Sequence, residues 1–152
     1  MQLIAVVRVL AQSATLLDKL IDPVTVPKLF DIYMLALQWA DPALEIYILQ
    51  TLRLLFTNEN GKIHVLKSEQ ILNYTCKSLV RDADVNVANE AALLLIDILK
   101  EPQETLLLLK SVPVVKSMMA YSKVSNNIAM TRSSELARLV RNVPFLYSEY
   151  SQ

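Results

Sequence analysis

The chain has 152 residues, 53% of them hydrophobic and 20% charged, and its fifteen basic and fifteen acidic side chains cancel. That length and composition fit one compact domain with a large core and exclude a disordered chain, and the balanced charge gives no general attraction to nucleic acid or acidic lipid. One glycine, Gly61, stands in the whole chain, which argues against α/β and β-rich folds, because these place glycines in tight turns and phosphate-binding loops.

The single cysteine, Cys76, excludes an internal disulfide and suits a reducing compartment, so a cytoplasmic or nuclear protein is expected. No apolar run approaches the roughly 20 residues of a spanning helix, so no membrane span is expected. Leu3–Leu10 is apolar, but no basic region precedes it and Arg8 interrupts it. A packed first helix is therefore expected there and secretion is not.

Taken in chain order, the apolar spacing predicts helices over Leu3–Ala14, Leu16–Ile21 and Val26–Ala40. A long helix then opens at Asp41-Pro42, a capping residue followed by a proline at the first helical position. Its apolar residues Leu44, Ile48, Leu52, Leu55 and Phe56 recur at helical steps and face inward. A short helix over Gly61–Lys67 and a medium one over Glu69–Arg81 follow. Asp84 opens a second long helix with the stripe Val87, Ala91, Leu95, Ile98 and Leu99. A short helix over Pro102–Lys110 and a medium one over Pro113–Ser122 come next. Asn126 or Asn127 opens a third long helix with Ile128, Arg132, Leu136, Leu139 and Val140, where Arg132 breaks the stripe.

A shift of 43 residues superposes these features. Asp41 falls on Asp84, and Lys67-Ser68 on Lys110-Ser111. Pro27, Gln70 and Pro113 form one series, and Leu20, Ile63 and Leu106 another. Tyr33, Cys76 and Met119 share one position, which reads as a core slot. The pattern is short, medium, long, with a partial unit at 1–40, units at 41–83 and 84–124, and a terminal helix and tail at 125–152. Helices of this kind bury their apolar faces by stacking on neighbouring units.

Three helices per unit, this period, and a capped long third helix resemble armadillo repeats, with HEAT-type repeats as near neighbours. The resemblance covers essentially the whole chain in about three and a half copies. It implies a right-handed α-solenoid whose third helices line a concave groove for extended peptides. On that basis the partner-binding groove would present Arg8; Tyr47, Gln50 and Leu54; Asn86, Glu90, Leu93 and Asp97; and Thr131, Ser134 and Arg138. Nuclear-import receptors of the family carry a Trp and an Asn at fixed places on the third helix. Here the Trp places hold Gln50, Leu93 and Ser134, and the Asn places hold Leu54, Asp97 and Arg138, so their activity is not implied.

No catalytic constellation is expected. His64 and Cys76 lie on different predicted helices without a supporting third group, and one Cys with one His does not make the usual four-ligand metal shell. A single glycine builds no phosphate loop, and the carboxylates near helix ends read as caps and dipole partners. Neither a cofactor nor a metal is expected. Three features stay open. Leu54 and Leu93 either line the groove or pack against a neighbouring helix. The stretch Lys110–Asn142, with six basic residues against Glu135, either receives an acidic partner segment or is a solvated surface. The aromatics of Pro144–Gln152 either cover the last repeat or dock on another molecule.

The expectation for function is a non-enzymatic scaffold that binds a segment of another protein along the long helices. The alternative is a structural stretch of a larger solenoid, as the start inside a long helix suggests, or a homo-oligomer formed through exposed end repeats.

Overall fold

A computed structural model describes residues 25–81, 84–124 and 126–151. The predicted helices over Leu3–Ala14 and Leu16–Ile21, and the candidate Arg8, lie outside the described residues. Among the described residues all regular structure is helical and there is no strand. The α-helices are α1 (Thr25–Trp39), α2 (Pro42–Leu55), α3 (Glu59–Leu66), α4 (Glu69–Leu79), α5 (Val85–Leu99), α6 (Val114–Tyr121), α7 (Asn127–Val140) and α8 (Pro144–Tyr150).

The helix starts follow from local hydrogen bonding. Asp41 accepts from the Leu44 amide, and Asp84 from those of Asn86 and Val87. Ser68 accepts from Ile71, and Asn58 from Asn60 and Gly61. At α7 the cap is Asn126, which accepts from Ile128 and Ala129. Each such cap satisfies an otherwise unpaired amide and contributes about 1 kcal/mol. At the end of α1 the chain turns without glycine. Ala40 takes a positive φ of 52°, and the Asp41 amide donates back to the Ala36 carbonyl. This closes a Schellman turn at the cost of a left-handed alanine.

One predicted helix is corrected. The stretch expected to be helical over Pro102–Lys110 forms two short 3-10 turns, Gln103–Thr105 and Leu107–Ser111. A 3-10 helix turns in three residues and stacks side chains i and i+3 on one side. Leu106 and Leu109 are accordingly both buried, while Leu107 between them is exposed.

The three long helices pack in order, α2 on α5 and α5 on α7, and α4 also packs on α5. Helix α1 lies on α2 and α4, α6 on α4 and α7, and α8 on α6 and α7. A single apolar cluster runs through these layers from Leu29 in α1 to Leu146 in α8. The inward stripes of α2 and α5 are buried throughout, from Leu44 to Phe56 and from Val87 to Leu99 at the predicted positions. The stripe of α7 is not. Ile128, expected to face inward, is 49% exposed, because the first turn of α7 buries the adjacent Ala129 and Ile128 lies on the other side. Arg132 enters the inter-helix layer instead, its guanidinium donating to the Asn89 carbonyl at 2.6 Å. The core slot expected for Tyr33, Cys76 and Met119 holds for the first two only, since Met119 is 48% exposed.

The tail folds back. Helix α8 starts with Pro144 at its first position, Leu146 is buried, and Phe145 and Tyr150 pack against the core. Lys110 sits 5.3 Å from the centre of the Phe145 ring, a cation–π contact that ties the second 3-10 turn to this helix.

A polar cluster is sealed where α1, α2 and α4 meet. The Tyr33 hydroxyl donates to the Tyr74 carbonyl at 3.2 Å and lies 2.6 Å from Ser78 Oγ. Ser78 in turn donates to Glu45 Oε1 at 3.4 Å. Glu45 is fully buried, and its Oε2 stands 3.0 Å from the Arg81 guanidinium. Burial pushes the Glu45 carboxyl above the usual glutamate range, and Arg81 pulls it part of the way back. Burial likewise holds the Tyr33 hydroxyl protonated far above the ordinary tyrosine range.

Candidate partner-binding face

Spacings of three and four residues place Tyr47, Gln50 and Leu54 along one side of α2. The same rule aligns Asn86, Glu90, Leu93 and Asp97 on α5, and Thr131, Ser134 and Arg138 on α7. All ten remain accessible to some degree. Asn86, Thr131, Ser134 and Arg138 are exposed, and the other six are half-buried. Of the open alternatives for Leu54, packing takes a share, since both Leu54 and Tyr47 lie against the core cluster.

Three of the ten meet in one place. Gln50 and Leu54 from α2 and Asp97 from α5 line an open cavity of about 570 Å³, together with Arg53, Lys100 and Glu101. Arg53 Nε donates to Asp97 Oδ2 at 2.9 Å and bridges the two helices across this cavity. Lys62 on α3 reaches Glu101 at 3.2 Å and lies 5.6 Å from the centre of the Phe56 ring, which closes the far wall. Gln50 Oε1 is shielded and has no hydrogen-bond partner among the described residues. Turned toward the cavity, this amide oxygen would give an incoming N–H donor a bond that the free protein leaves unmade.

The α7 candidates do not join this cavity. Thr131 donates to the Asn127 carbonyl at 3.2 Å, and Ser134 to that of Met130 at 3.0 Å. Both hydroxyl protons are therefore spent on their own helix. Arg138 is held by Glu135 one turn earlier, at 3.0 Å, and this pairing lowers the glutamate and raises the arginine. The inter-helix role of Arg53, and the places of Lys100 and Glu101, were not read from the sequence. The one available signal was that Arg53 and Asp97 lie 44 positions apart, one period plus one residue.

His64 is half-buried on α3 and Cys76 is buried on α4. Burial pushes the Cys76 thiol up to about 12, so it is a protonated, shielded group at neutral pH. Labelling with a thiol reagent is expected to be slow at neutral pH in the native chain and fast once guanidinium unfolds it. Rapid native labelling would show that the α4 packing opens. Among the described residues no group of three or more His, Cys, Asp or Glu side chains is placed to hold a metal ion, and no helix is long and apolar enough to cross a membrane.

The class defined so far is an all-helical protein with a continuous core and an open, mixed polar and apolar face on its long helices. Comparison with protein-family models, with curated proteins and with solved structures finds no match to this chain.

Proposed function

We propose that the chain is a non-enzymatic scaffold of armadillo-like helical repeats that binds an extended or helical segment of a partner protein across α2, α5 and α7. The observation that carries this reading is the α2–α5 cavity. It combines a shielded, unpartnered Gln50 oxygen, an apolar wall from Leu54 and Phe56, and charges of both signs. Mixed pockets of this kind hold an apolar anchor and fix its orientation with a few polar contacts. Leu93, half-buried on α5 in line with the half-buried Glu90 and Asp97, extends the same side of the molecule with a further apolar contact. A free, buried Cys76 suits a reducing compartment, the cytoplasm or nucleus.

The test starts with crosslinking in cells that make the protein, identification of what is captured, and measurement of its affinity for the purified full chain. The double variant Gln50→Ala/Leu93→Ala is expected to bind at least about tenfold more weakly, since anchor residues each contribute more than about 1 kcal/mol. Its melting temperature should stay within a few degrees, because neither side chain is fully buried. Undiminished affinity in this variant would rule the face out.

A second reading, assembly through the ends, is supported by Trp39, 68% exposed at the close of α1, and by exposed Ile128 and Met130 at the start of α7. It requires a solution mass that grows with concentration and falls back when Trp39 is replaced by a charged residue.

A further inference from the structure

A second concavity lies between α4 and α6, an open groove of about 370 Å³ that shares no residue with the α2–α5 cavity. Its floor is formed by the buried Cys76, by Ala120 and by Val80, which is 38% exposed. Ser117 stands at the same wall. Lys77 from α4 and Lys116 from α6 also line it, and among the described residues no carboxylate does.

Neither lysine forms an ion pair among the described residues. Lys77 lies 5.9 Å from the centre of the Tyr74 ring, and Lys116 has no bonded partner there. The surrounding sequence has the same sign. From Lys110 to Asn142 six basic residues face a single acid, Glu135, and that acid is already bound to Arg138. The groove is thus an apolar trough between two cations that no described carboxylate compensates.

We propose that this groove is a separate docking site for a short acidic segment of a partner protein, with one large apolar side chain seated between flanking carboxylates. The apolar side chain would cover Val80 and Ala120, and the carboxylates would meet Lys77 and Lys116. Complementary charges at the rim steer and register the segment, while the seated side chain supplies most of the affinity. A membrane surface fits less well, because recognition of anionic lipid takes a cluster of roughly four to eight basic residues, whereas this rim has two.

The experiment selects short random peptides displayed on phage against the full-length chain, then measures the enriched peptides by fluorescence anisotropy. Enrichment of peptides with Leu, Phe or Trp between Asp or Glu residues is expected, with binding that weakens as salt is raised. The double charge reversal Lys77→Glu/Lys116→Glu should weaken these peptides by about tenfold, from two surface pairs turned repulsive. Ala120→Trp, at an exposed position, should block the groove without unfolding the chain. Binding should survive in Gln50→Ala/Leu93→Ala, which separates this site from the long-helix face. Enriched peptides without acidic residues, or peptides held equally well by the charge-reversed chain, would overturn the proposal. So would capture by phosphatidylserine vesicles at physiological salt with no acidic peptide enriched.

Discussion

Ile98→Ala is expected to cost about 2–5 kcal/mol of folding stability, a large part of the ~5–15 kcal/mol typical of a domain. Ile98 is fully buried on α5. That helix packs against α2, α4 and α7, so neighbours on several sides hold the cavity open when the side chain is shortened. Two contributions add, the lost transfer of the removed carbons from water and the dispersion contacts that the lining atoms forfeit. The urea midpoint should fall with an unchanged slope, because the same surface is exposed on unfolding. The melting temperature should drop by about 2–4 °C for each kcal/mol. Leu93→Ala on the same helix is the internal control. Leu93 is half-buried, so its replacement should cost clearly less. Equal losses at the two positions would mean that α5 is not held as described.

Arg81→Ala should be about as damaging at neutral pH, for an electrostatic reason. Glu45 is fully buried, and Arg81 is the cation beside it, at 3.0 Å. Removing one partner of a buried pair leaves an uncompensated charge and costs about 3–5 kcal/mol. The pH dependence identifies the cause. The folded Glu45 carboxyl sits above its unfolded value of about 4.3, chiefly through burial. The folded state therefore binds the proton more tightly than the unfolded state does. Stability from this group is present below the unfolded value and is lost as pH rises through the folded one.

Without Arg81 the folded value moves higher still, because the opposing charge has gone. The difference between Arg81→Ala and wild type should be greatest above neutrality and should shrink as pH falls toward the ordinary glutamate range. Comparing the two proteins at each pH cancels the titration of the other carboxylates. A loss of the same size at every pH would show that Arg81 acts through packing alone. Glu45→Gln should remove most of this pH dependence, since the amide keeps an oxygen for Ser78 and does not titrate.

Much of the helical skeleton was legible because its signals are local. Asp41-Pro42, Asp84 and Asn126 mark helix starts through bonds to amides two or three residues away. The stripes of α2 and α5 are repeats of 3.6 residues that any covering layer will bury. The scarcity of glycine was informative for the same reason, and among the described residues the one left-handed turn falls to Ala40. The failures occurred where the pattern needed a neighbour to complete it. Ile128 and Met119 occupy inward places by spacing, yet each is about half exposed because the packed layer takes the adjacent Ala129 and Met118 instead. The four leucines from Leu106 to Leu109 read as helical, while the packing of Leu106 and Leu109 on one side selected a tighter turn.

The site divides in the same way. Spacing alone aligned Gln50 with Leu54, and Leu93 with Asp97, since residues three or four apart share a side of one helix. Which of them share a cavity was decided by how α2 lies on α5, through the bond from Arg53 to Asp97. The hydroxyls of Thr131 and Ser134, candidates by position, turned back to their own helix. The pairing of Arg81 with Glu45 was equally hidden, because charges 36 residues apart meet only when α2 and α4 both pack on α1 and α5. Amino-acid order by itself determined the class of secondary structure, the helix starts and the buried stripes, since these rest on bonds and periodicities within a few residues. Tertiary packing alone decided which charges are sealed, which apolar residues stay uncovered and where concavities open, since each depends on surfaces contributed by segments distant in the chain.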